Sequence, residues 1–216
     1  MNIGASNRST FKTMKLSFIP SLLLVCASLG TALLQGCTSV GRLDRDVMAP
    51  SANEAIYVLG LTPANHRAFI FPGELKDGVF IQDNMRAASY YGSSQKGYIV
   101  AKAKPSDVWA ITNILVTESE AGYFGPGFAP CGGQNTITFK VPAGQVTYIG
   151  NVEFARQEKK LEVQYTSNFE AAKTYLEANY PNLRGLLQQG TFELAKVNRS
   201  CERPTITIPI TVPRGR

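Results

Sequence analysis

The strongest constraint on this chain is its punctuation. From Ala55 onward the apolar residues come in short runs, and most runs end at Gly, at Pro or at an Asp-Gly pair. Runs this short suit strands, because a helix needs roughly ten or more residues to bury a stripe. Many of the runs also alternate. Ile137, Phe139 and Val141 are interleaved with Thr136, Thr138 and Lys140, and Leu161, Val163 and Tyr165 with Glu162 and Gln164. A period of two places alternate side chains on opposite faces of a strand. Ala55-Ile56-Tyr57-Val58-Leu59 is apolar on both faces, as an inner strand would be.

Further strands are expected at His66 to Phe71, closed by Pro72-Gly73, and at Gly97 to Ala103. Val108 to Val116 is β-branched and holds the only Trp, so it reads as a buried strand. Asp77-Gly78 marks a tight turn between Glu74-Leu75-Lys76 and Val79-Phe80-Ile81. Val141-Pro142-Ala143-Gly144 suits a type I turn. The return strand would place Val146, Tyr148, Val152 and Phe154 on one face, with Gly150 marking a bulge or a close backbone approach. Residues 83 to 96 and 122 to 133 read as irregular.

The period changes only late in the chain. Ser167-Asn168-Phe169-Glu170 has the form of a capping box, and Phe169, Ala172 and Leu176 then share a helical face up to Pro181. Leu183 to Gln189 suggests one more helical turn, and Thr191 to Val197 a strand. Thr205 to Val212 alternates cleanly, but Pro209 cannot donate a ladder bond and assigns it to a sheet edge. The expected fold is mainly β: a β-sandwich of about eight short strands with one late α-helix.

The N-terminus carries a different signal. Arg8, Lys12 and Lys15 precede an apolar run from Leu16 to Leu34, and no acid occurs before Asp44. A positive start followed by an apolar middle is the pattern of a secretory signal. An uncleaved membrane helix is the alternative, since the run is just long enough to span a bilayer. Pro20 and the Gly and Ser content weigh against a helix, and so does the stretch that ends the run, Leu34-Gln35-Gly36-Cys37. That stretch resembles the lipobox of bacterial lipoproteins, with Leu at minus three and Gly at minus one. The resemblance implies cleavage before Cys37, a diacylglycerol thioether on its sulfur and acylation (palmitate) of the new amino terminus. Thr38 in place of an acidic residue implies the outer membrane, facing the periplasm. Met14-Lys15-Leu16 would open a compact signal, so translation is expected to start at Met14. The resulting division is a signal peptide over 1–36, a lipidated N-terminus and flexible tether over 37–54, and a single domain over 55–216.

The chain has 22 Lys and Arg against 16 Asp and Glu, but three of the basic residues lie in the leader. The mature chain would carry 19 basic residues against 16 acids, and they are scattered. The one doublet, Lys159-Lys160, lies between Glu158 and Glu162 as a solvated strand end would. No nucleic-acid footprint is present. Of four cysteines, Cys26 leaves with the leader and Cys37 is lipidated. Cys131 and Cys201 remain, and an oxidising compartment favours a disulfide between them over two separate buried thiols.

No residue pattern points to catalysis. His66 is the only histidine and is expected on the surface or in a turn. Ser93-Ser94-Gln95-Lys96 matches a Ser-x-x-Lys motif without its companion motifs, and Ser9-Thr10-Phe11-Lys12 repeats the match in the leader. Glu118 and Glu120 read as solvated loop acids. No metal site or cofactor is expected. The candidate recognition residues are aromatics in the irregular stretches: Tyr90 and Tyr91, and Tyr123, Phe124 and Phe128 in the glycine-rich loop. The plainer reading of each group is packing onto the sandwich.

Ala55-Ile56-Tyr57-Val58, Gly97-Tyr98-Ile99-Val100 and Val141-Pro142-Ala143-Gly144-Gln145 leading into Tyr148-Ile149-Gly150 resemble small bacterial lipoproteins of uncharacterised β-sandwich families. The resemblance implies no catalytic residues. The expectation is an envelope lipoprotein anchored to the bilayer through Cys37, acting as a binding or assembly module toward an envelope protein or glycan. A structural, cell-wall-associated lipoprotein and a hydrolase with an unrecognised site are the alternatives.

Overall fold

The computed structural model describes residues 39–157 and 160–201. The expected leader, Cys37, Glu158, Lys159 and the alternating Thr205 to Val212 segment lie outside these residues. The described part belongs to one compact unit that begins at Ser39. It holds twelve strands and one α-helix. The strands are β1 (Ala55–Thr62), β2 (His66–Lys76), β3 (Val79–Gln82), β4 (Tyr90–Ser93), β5 (Tyr98–Ala103) and β6 (Val108–Val116). They continue with β7 (Gly127–Phe128), β8 (Asn135–Phe139), β9 (Val146–Gln157), β10 (Lys160–Thr166), β11 (Leu187–Gln189) and β12 (Glu193–Val197). The helix α1 (Phe169–Asn179) follows β10. The chain is mainly β with a late helix, as expected, but its strands are more numerous, and β2 runs well beyond the expected His66 to Phe71.

Two sheets form. One has the order β10-β9-β1-β5, with β11 on the rest of the β9 edge. The other has the order β4-β2-β3-β12-β8-β6-β7, and β2 also pairs with β6. That extra pairing closes β2, β3, β12, β8 and β6 into a ring at one part of the sheet. Leu75, Phe80, Val108, Ala110 and Ala195 pack together there. The main core lies between the sheets, where Tyr57, Leu59 and Leu61 meet Ile70, Trp109, Ile111, Ile137 and Phe139.

Apolar residues on both faces of β1 have a direct cause. Tyr57, Leu59 and Leu61 face the other sheet. Ile56 and Val58 face away from it and are covered by Ala172, Tyr175 and Leu176 of α1. Fully burying a side chain of this size contributes about 1.5–3 kcal/mol, so both coverings stabilise β1 substantially.

Several local expectations change. β2 runs through Pro72-Gly73 instead of ending there. The Pro72 carbonyl accepts from the Asp83 N–H, so the missing Pro72 N–H points to that same side. On that side β2 changes partner from β4, which ends opposite Ile70, to β3, which begins opposite Gly73. The β6 ladder on the other side loses no bond. Residues 90–93 form a strand, β4, paired with Arg67 to Ile70. The glycine-rich loop contains the two-residue β7. Leu187–Gln189 is a strand and not a helical turn: it pairs in parallel with Val146–Tyr148, the stretch of β9 that β10 leaves open.

The bulge at Gly150 is present, with a register shift between Val58 and Leu59 of the partner strand. It reverses the faces of β9. Val146 and Tyr148 face the helix, whereas Val152 and Phe154 face the other sheet. The four residues therefore do not share one face. Gly150 has φ of 138°, and a Cβ there would stand 3.3 Å from the Phe192 ring.

The helix cap is Asn168, one residue later than expected. Its side chain accepts from the Ala171 N–H at 3.1 Å, and its own N–H donates to the Tyr148 hydroxyl at 2.9 Å. β10 stays paired through Thr166, which leaves Ser167 to turn the chain.

Residues 39–54 are laid on the domain and do not form a free tether. Val40 exchanges backbone hydrogen bonds with Tyr91 at 2.8 and 3.0 Å. Leu43 and Val47 pack against the helix-side core, and Asn182 donates to the Asp46 carbonyl. Gly41 makes this close approach possible: its φ is 77°, and a Cβ would stand 1.8 Å from the Ser89 carbonyl oxygen.

Candidate functional site

The sequence-selected aromatics divide into three groups. Tyr90 lies in β4, not in a loop, and is buried; its hydroxyl donates to the Ser93 carbonyl at 2.6 Å. Burial holds the Tyr90 phenol above its ordinary pKa. Its ring therefore offers no surface to a partner. Tyr91 is half-buried and packs on Phe69 with ring centroids 4.3 Å apart. Tyr123 and Phe124 stand at a loop tip and are 42% and 92% exposed. Phe128 pairs with Ile114 in β7 and lines a separate cleft.

Arg67, which the sequence reading did not single out, connects two of these groups. It is 1% exposed. Its guanidinium carbon lies 4.7 Å from the centre of the Tyr91 ring and 4.8 Å from that of Tyr123. Nη1 donates to the Gly122 carbonyl at 3.2 Å. A planar cation between two ring faces is held by each ring quadrupole, and a guanidinium suits this better than an ammonium.

The rest of the loop is held in the same way. The Thr117 hydroxyl donates to the Asn65 carbonyl, and the Asn65 amide donates to the Thr117 carbonyl. The Ser93 hydroxyl donates to the Glu120 carbonyl at 3.2 Å. The Val116 N–H donates to the Pro126 carbonyl at 3.0 Å. Four fixed points, at Thr117, Glu120, Gly122 and Pro126, thus give the Tyr123-Phe124 tip a rigid base. The N-terminal segment joins the network, because Arg42 Nη2 donates to the Ser93 carbonyl at 2.9 Å.

The second feature is a cleft of about 690 Å³ between the sheets, with apolar walls and polar residues among its lining. Ile111, Ile114 and Ile137 line one wall, and Val152, Phe154 and Leu161 the other. Its volume lies in the range of small-molecule sites, roughly 300–1,000 Å³. Asn113 lines it, and its buried side-chain oxygen has no hydrogen-bond partner among the described residues. Cys131 and Cys201 form a disulfide at its rim, with Cα atoms 5.0 Å apart. The bridge ties the end of the glycine-rich loop to the chain after β12.

The remaining sequence candidates are placed as follows. His66 is buried at the start of β2 and not on the surface or in a turn. Burial lowers its pKa, and neither ring nitrogen finds a hydrogen-bond partner among the described residues. Ser93 and Ser94 donate to backbone carbonyls, and Lys96 reaches Asn179 at 3.5 Å, so the Ser-x-x-Lys residues do not converge on one another. Glu118 and Glu120 are exposed. Among the described residues no group of three or more His, Cys, Asp or Glu is placed to hold a metal ion, and no helix is long and apolar enough to cross a membrane.

Together these features define a class: a mainly β, disulfide-bridged domain with an N-terminal segment laid along its surface and a rigid aromatic tip. No family model matches the chain, and no curated protein or solved structure is significantly similar to it.

Proposed function

We propose that the chain is a bacterial envelope lipoprotein, anchored through an acylated Cys37 at the periplasmic face of the outer membrane. Its β domain acts as a binding or assembly module. The observation that carries the anchor is Leu34-Gln35-Gly36-Cys37, placed after a basic start and an apolar run. Several acyl chains on one residue, at about 0.8 kcal/mol per buried methylene, are enough for stable attachment. The binding role is supported by the exposed Tyr123-Phe124 tip on its fixed base, since exposed aromatics on a rigid support suit recognition at little entropic cost. Fractionation tests the anchor. Wild-type protein is expected in the membrane fraction with incorporated fatty-acid label. The Cys37→Ala variant should take up no label and should either leave that fraction or persist as an unprocessed precursor. Labelling and processing of that variant like the wild type would overturn the reading.

A further inference from the structure

We infer that the Tyr123-Phe124 tip is a second membrane contact, seated in the same zwitterionic lipid surface that holds the acyl chains of Cys37. This rests on the lipid-anchor reading above and names the partner of the aromatic tip.

The direction of the N-terminal segment carries the argument. Val40 pairs with Tyr91, and Gly41 lies against Ser89. A Cβ on Gly92 would stand 2.7 Å from that of Ser39. The segment thus runs antiparallel to β4. Traced back toward the N-terminus, it leaves the domain past Gly92, at the Ser93 end of that strand. The glycine-rich loop is held at this same end: Ser93 bonds Glu120, and Arg67, the β2 partner of Ser93, bonds Gly122. Cys37 stands two residues before Ser39. Two residues reach at most about 7 Å, so acyl chains on Cys37 bring the lipid surface to this end of the domain.

The tip has the chemistry for that surface. Phe124 is almost fully exposed, and Tyr123 beside it is half-exposed with its inner face on Arg67. An exposed apolar ring beside an amphipathic one suits the headgroup level of a bilayer, where aromatic side chains are enriched. Glu118 and Glu120 lie on the same loop and are exposed, whereas Arg67 is buried. Arg42 reaches the Ser93 carbonyl and Lys96 is exposed just beyond it, so charges of both signs surround the tip and no basic cluster stands there to select anionic lipid; this fits zwitterionic headgroups. Two contacts, lipid chain and aromatic tip, would fix the orientation of a domain that one flexible anchor leaves free to tumble.

The molecule provides its own controls. Trp109 is the only tryptophan and is buried in the core. Met85 is 94% exposed but lies in the segment leading into the other end of β4. The experiment compares full-length wild-type protein, Phe124→Trp and Met85→Trp, each isolated in acylated form. All three are reconstituted in phosphatidylcholine vesicles with or without chain-brominated lipid. Mass spectrometry of the same samples reports the acyl groups on Cys37. In Phe124→Trp, the added emission is expected to shift to the blue and lose roughly half its intensity to brominated lipid, as suits a ring at the headgroup–acyl boundary. The wild-type and Met85→Trp signals should stay unchanged.

An acylated Phe124→Trp protein with a water-exposed, unquenched tryptophan would overturn the inference, leave the anchor standing and turn the tip toward a protein or glycan. Equal quenching of Met85→Trp would also overturn it. Absence of acyl groups on Cys37 would remove the anchor reading itself, and this inference with it.

Discussion

Arg67 decides the shape of the candidate site. In β2 its side chain alternates with Ala68 and Ile70, which enter the core, so strand period alone directs it outward with Phe69. It is buried because residues 117–124 fold over that outer face. No local pattern announces this: the roof lies some fifty residues downstream and is made of loop. The exposed aromatics were legible, because Tyr123-Phe124 in a run of Gly and Pro has no strand face to occupy. Tyr90 was not, since its burial depends on β4 pairing with β2. If Arg67 holds the tip, Arg67→Met should keep the stem packing but lose both cation–π contacts and the charged hydrogen bond to the Gly122 carbonyl. The expected cost is about 1–3 kcal/mol in chemical denaturation, with faster proteolysis at residues 118–124. Arg67→Lys should recover only part of that loss, because an ammonium cannot stack flat between two rings. Unchanged stability and cleavage in Arg67→Met would show that the loop is held without it.

At the scale of elements, strand existence was easier to read than strand use. β1, β5, β6, β8 and β12 follow directly from apolar runs between turn residues. β4, β7 and β11 do not, because each is short and exists only where a longer strand offers an open edge. Gly150 shows a different limit. Its bulge was legible from one glycine inside a strand, but the exchange of faces it produces depends on the register with β1. The Cys131–Cys201 bridge was legible from the cysteine count together with the expectation of export. It spans a sequence separation of 70 and pins the loop beside the cleft. Chain entropy values a loop of that length at roughly 4 kcal/mol. Cys131→Ser and Cys201→Ser should each lower the melting temperature. The double variant should cost little more than either one, since one bond is lost in all three. Additive losses in the double variant, or no loss in the single ones, would contradict a stabilising bridge.

At the scale of the whole molecule, helix, sheet and sheet form three layers around β1, and the N-terminal segment is strapped across β4. The mainly β class and the late helix were readable because both rest on local periodicity. The closed ring was not, because β12 joins β3 in parallel and so unites segments over a hundred residues apart. The strap was hidden by its composition: Leu43 and Val47 are isolated apolar residues among charges, and only the helix-side core gives them a place. The strap begins two residues after Cys37, so the proposed anchor would sit directly beside the domain, and the proposal turns on how the mature chain begins. Intact-mass and N-terminal peptide analysis of protein purified from the envelope of its native host tests this most directly. The account predicts a mature chain beginning at Cys37, with a diacylglycerol on its sulfur and a fatty acyl group on its amino terminus. A chain that retains its leader, or begins elsewhere with an unmodified Cys37, would contradict it.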